Sequence, residues 1–67
     1  MIYPREKPTF AGGEKPVVHL NFDTMEDFPN LAGNYGLDKT APGSDALCVT
    51  TKQLFMLRGD TGEWEGL

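Results

Sequence analysis

The sequence predicts a small, mainly β protein: an extended N-terminal arm, one short strand, one helical turn and a C-terminal three-stranded antiparallel meander. Three observations carry that prediction. Residues 17–22, VVHLNF, alternate with the period of a half-buried strand. The runs ALCVT (46–50), QLFML (53–57) and EWEGL (63–67) are rich in β-forming residues and separated by turn-like material. The proline- and glycine-rich stretches 1–16 and 29–45 offer no regular structure that would compete with these strands.

Taken in order, residues 1–16 (MIYPREKPTFAGGEKP) hold three prolines and a Gly-Gly pair. Proline removes a backbone donor and biases its predecessor away from helix, so an extended arm without regular structure is expected. Ile2, Tyr3 and Phe10 are its separated apolar anchors. Residues 17–28 give a strand plus a short helical turn. Val18, Leu20 and Phe22 face one side of the strand, with Val17, His19 and Asn21 on the other. Asp23 or Thr24 can cap a single turn through Asp27, with Glu26 and Asp27 near its positive end, and Pro29 is expected to stop it. Residues 29–45 hold three more glycines and two prolines around Leu31, Tyr35 and Leu37 without a period. That stretch reads as a linker, or as a loop lying along a neighbouring surface. Residues 46–67 form the meander.

Composition excludes several function classes. Ten Asp or Glu stand against six Lys or Arg, with no clustered basic face of the kind that binds nucleic acid. No apolar run approaches the ~20 residues that span a bilayer, and no charged-then-apolar leader opens the chain. A soluble, intracellularly made protein is expected. Cys48 is the only cysteine, so no intrachain disulfide can form, and inside an apolar run it reads as a small core residue. His19 is the only histidine, whereas a structural zinc normally takes four Cys or His ligands. Asp23, Glu26 and Asp27 lack the alternating spacing and turning glycine of a calcium loop. Ser44, Cys48 and His19 share no local motif that links a nucleophile to a base. No cofactor, metal or catalytic residue is predicted.

LFMLRGDTGEW (54–64) holds two suggestive tripeptides. Arg58-Gly59-Asp60 matches a cell-adhesion motif, but no signal or disulfide places the chain outside a cell. Asp60-Thr61-Gly62 matches the aspartic-protease signature, yet the seven residues after Asp60 cannot build the remaining walls of a cleft. A turn accounts for every residue: Gly59 and Gly62 supply positive φ, and Asp60 and Thr61 offer oxygens to nearby amides. The flanking runs ALCV and LFML are apolar on both faces, and no helix able to form a second layer is expected, so the cover must come from Val17–Phe22, from the arm or from another molecule. A partner chain is the economical cover, since each large apolar side chain left exposed forgoes ~1.5–3 kcal/mol. Ile2, Tyr3, Phe10, Phe55, Met56 and Trp64 are the predicted partner-binding anchors, because aromatic residues and Met are enriched at interface cores.

Gly43-Ser44, Ala46, Val49, Thr50-Thr51, Phe55, Leu57, Gly62 and Trp64 carry a resemblance. Residues 43–67 are similar to the closing segment of short virion-associated proteins of tailed bacteriophages and prophages. Such segments run through a small residue and Ser, a strand, a Thr-containing turn, an aromatic-containing strand, a Gly turn and a Trp. This chain departs from them in having Thr51-Lys52 in the first turn and Phe55 in the middle strand. Thr does not suit the positive φ of a two-residue hairpin, so a longer or bulged turn is expected. The resemblance implies a structural role in the virion, as a head decoration, fibre attachment or connector, binding other virion proteins or copies of itself. The alternative is a small acidic inhibitor of a host enzyme or nucleic-acid-binding protein. Five acids stand against Lys39 alone between Val17 and Asp45, and Asp23, Glu26 and Asp27 would present carboxylates where a partner expects phosphates.

Overall fold

A computed structural model describes residues 1–10 and 15–67. The chain folds as one five-stranded mixed sheet with a short helix on one side. The strands are β1 (Ile2–Thr9), β2 (Val17–Phe22), β3 (Asp45–Cys48), β4 (Gln53–Leu57) and β5 (Trp64–Gly66), adjacent in that order. Three neighbouring pairs are antiparallel, and β2 and β3 run parallel.

That parallel pair organises the molecule. Two parallel neighbours cannot be joined by a tight turn, so the chain between them must cross over the sheet. The crossover holds a 3-10 turn (Met25–Asp27) followed by helix α1 (Phe28–Asn34). The loop expected over 29–45 is therefore corrected at both ends, since it begins as helix and Asp45 already belongs to β3. Pro29 opens α1 and does not stop the preceding turn. In the first helical turn a missing N–H costs nothing, and proline's fixed φ suits the helix.

The crossover also supplies a second layer, which corrects the expectation that no helix of this chain could form one. Leu31 is fully buried, and Phe28, Tyr35 and Leu37 pack against the core formed by Val18, Leu20, Phe22, Ala46, Cys48, Phe55, Leu57 and Trp64. The Phe22, Phe28 and Phe55 rings meet at tilted angles with centroids 4.9–6.3 Å apart. Polar bonds pin the crossover down. The buried Ser44 hydroxyl accepts from the Val18 amide at 2.9 Å and donates to the Ala41 carbonyl at 2.8 Å. The Trp64 indole N–H reaches the Tyr35 carbonyl at 3.0 Å.

Most of the described part of the expected arm is strand, not irregular chain. β1 pairs with β2 through Ile2↔Phe22, Tyr3↔Asn21 and Pro4↔Leu20, and the register then shifts twice. Pro4 and Pro8 are compatible with this because β1 is an edge strand. Residues 11–14 of the expected arm, with its Gly-Gly pair, lie outside the described residues.

The C-terminal strands pair antiparallel in succession, but β3 also joins β2, so they are part of the larger sheet. The first turn is longer than two residues: Cys48 pairs with Gln53, and Lys52 closes the loop at φ 60° with its amide on the Cys48 carbonyl at 2.7 Å. In the second turn Gly62 adopts φ 75°. Gly59 does not share that conformation. Its reason is proximity, because a Cβ there would sit 3.1 Å from that of Pro42.

Candidate interaction face

Alternation along each strand sends half the side chains away from the crossover. Cross-strand register orders them into two rows. One runs Tyr3, Asn21, Leu47, Leu54, with Leu67 held beside Leu54 by an amide-to-carbonyl bond of 2.9 Å. The other runs Glu6, His19, Asp45, Met56, Glu65. The first is largely apolar. Leu47 and Leu54 are half-buried, while Tyr3 and Met56 are 36% and 39% exposed.

The second row is organised by Asp45. Its Oδ2 lies 2.8 Å from His19 Nδ1, and its Oδ1 takes an ion pair from the Arg5 guanidinium. Arg5 also donates to the Asn21 side-chain oxygen at 3.2 Å and the Leu20 carbonyl at 3.3 Å. It reaches them from the bulged part of β1. At the far edge Arg58 donates to Glu65 at 2.6 Å and holds Asp60 with two bonds of 2.9 and 2.6 Å. Both arginines are thus engaged within the chain, and covering the row would not leave either without a counter-charge.

The six predicted anchors separate. Tyr3 and Met56 lie on this open face, and Phe10 is 65% exposed just beyond β1. Phe55 and Trp64 are core residues, 6% and 7% exposed, and are unavailable to a partner. Ile2 packs against the same core. Phe55 points inward because Ala46, its cross-strand partner, lies under the crossover, which the sequence reading did not anticipate. Leu47, Leu54 and the Arg5–Asp45–His19 cluster were not singled out from sequence. Arg5 and Asp45 are forty positions apart and meet only because β2 separates the strands that carry them.

The other sequence motifs find their places too. The bidentate Arg58–Asp60 pair folds the Arg-Gly-Asp side chains onto each other, where adhesion recognition would need them separately available. The same pair lowers the Asp60 pKa and ties both carboxylate oxygens to the guanidinium, where a shared-proton dyad would need them turned to a second carboxyl. Asp27 accepts from the Met1 α-amino group, which lies 3.3 Å from Asp23 as well. Contact with Asp27 raises the pKa of that amine and lowers that of Asp27. His19 faces outward, whereas Ser44 and Cys48 are buried, so no pairing of base with nucleophile is assembled from these three. Among the described residues no three His, Cys, Asp or Glu gather as a metal site. None of the described helices is long and apolar enough to cross a membrane. Comparison with protein families, curated proteins and solved structures finds no match to this chain.

Proposed function

We propose that the chain is a non-enzymatic structural or accessory component of a bacteriophage particle, binding a neighbouring subunit through the open face of its sheet. The observation that carries the binding role is the apolar row Tyr3, Leu47 and Leu54 with Met56 beside it, left uncovered in a chain whose other face is closed. Because Arg5 and Arg58 are already paired with carboxylates of the chain, the surface that fits is mainly apolar and is not a polyanion. A standard interface takes about 800 Å² from each partner. The chain exposes 4228 Å², so such a contact would use about a fifth of it. Strand addition is a poorer route, since β1 is guarded by Pro4 and Pro8 and β5 is three residues long. The particle setting rests on the resemblance of residues 43–67 to closing segments of virion-associated proteins.

Mass spectrometry of purified particles tests the setting, and a Leu54→Lys/Met56→Lys variant tests the face. The parent chain is expected at a fixed copy number, with the variant folded but depleted from particles at least tenfold. Absence of the parent from particles refutes the setting. Equal incorporation of the folded variant refutes the face.

A further inference from the structure

We infer that β1 is an exchangeable strand: two copies of the chain trade Ile2–Thr9, each β1 pairing with β2 of the other copy in the register it uses within one chain. The inference concerns the edge of the sheet; β1 also carries Tyr3 of the docking face, and exchange returns that residue to the same register position in the other copy.

Three features make β1 separable. It adds little to the core, because seven of its eight residues are exposed and only Ile2 packs inward. Its pairing is interrupted, with register shifts between Pro4 and Glu6 and between Glu6 and Thr9, and neither Pro4 nor Pro8 has an amide to donate. Its remaining ties are polar contacts made across the surface, from Arg5 to Asp45 and Asn21 and from the Met1 amine to Asp27. Meanwhile Val18, Leu20 and Phe22 on β2 share a core with Leu31 and Phe28 of the crossover, so the rest of the domain keeps its own packing when β1 leaves.

The identity of the replacement follows from what a bare β2 would present. VVHLNF contains no proline, lysine or acidic residue, so its free edge lacks the usual guards against pairing. A segment that fits it must place a residue like Ile2 beside Phe22 and a cation where Arg5 meets Asp45. The β1 of a second copy meets both conditions. Strand exchange reproduces every such contact, so closed monomer and exchanged dimer differ chiefly at the connection and in concentration dependence. By sequence that connection is residues 10–16, FAGGEKP. Seven residues reach at most about 25 Å when extended. That is comparable to the 24 Å middle dimension of the domain, enough for β1 to cross to a neighbour.

The test places cysteines at the Tyr3↔Asn21 pair (Tyr3→Cys with Asn21→Cys) in a Cys48→Ala background, mixing tagged and untagged chains before oxidation. Peptide mapping then identifies disulfides joining positions 3 and 21. Exchange predicts tagged–untagged species linked through those positions, with a yield that rises with protein concentration. Deleting Gly12 and Gly13, which shortens the connection and disfavours closure, should raise that yield at least tenfold. Native mass spectrometry of mixed light and heavy parent chains, free of engineered cysteines, should give a hybrid dimer. Met56→Lys should leave all of this unchanged. Only intrachain linkage at every concentration in both lengths, or no hybrid dimer from the parent chain, would overturn the exchange.

Discussion

The two faces of the sheet are made by the same five strands and meet opposite fates. On the inner face Leu20, Phe22, Ala46, Cys48 and Leu57 are almost or entirely removed from solvent beneath the crossover. On the outer face Leu47 and Leu54 are only half-buried and Met56 is exposed, and the row that Met56 belongs to is held by the ion pairs of Arg5 and Arg58. The difference lies in connectivity. β2 and β3 are parallel, and the chain that joins them is laid across one side only. A chain without an intrachain disulfide can thus complete one packed layer by itself while leaving the other face to water or to a neighbour.

Substitutions on the two faces can break this comparison. The largest effect is expected from Phe22→Ala, a fully buried aromatic whose loss should lower stability by about 3–5 kcal/mol in urea denaturation. For a domain this small that approaches its whole stability. Leu31→Ala should cost about 2–5 kcal/mol, because it removes the one side chain that α1 buries completely. A cost below about 0.5 kcal/mol, typical of surface positions, would mean that the crossover is not a true lid. Lys52→Gly should raise stability by about 1 kcal/mol, since Lys52 holds a left-handed conformation that glycine adopts without strain. Met56→Lys should change the isolated chain by no more than about 0.5 kcal/mol, and a large loss would place Met56 in the core.

The smallest effect concerns pH. Arg58 depresses the folded-state pKa of Asp60, so its contribution is present above the unfolded carboxyl value, about 3.9, and is lost as pH falls through the folded value. The melting-temperature gap between the parent and Arg58→Gln should therefore shrink as solutions are acidified below about pH 4. A gap that stays constant into strong acid would mean that the pair does not form in solution.

Much of the sheet was legible in the sequence because strand alternation is a local signal. VVHLNF gave β2 and its inner residues, and the last third gave three consecutive antiparallel partners and a first turn longer than two residues. β1 was hidden because Pro4, Pro8 and a charged centre read as irregular chain, yet those residues suit an edge strand. α1 was hidden because it is seven residues long, opens with proline, carries Gly33 and buries only Leu31. Missing it led to the expectation that both faces of Leu54–Leu57 needed foreign cover, when Phe55 and Leu57 are enclosed by the chain itself. The Arg5–Asp45–His19 cluster had no local signature, because its members come from three strands whose order depends on that same crossover.

The central claim is that one face is closed by the chain and the other stands open. Methyl NMR of the dilute chain with a soluble paramagnetic agent tests it most directly. The Leu54 and Met56 methyl signals should broaden several-fold more than those of Leu31 and Leu57. Equal protection of both sets in a monomeric sample would contradict the account.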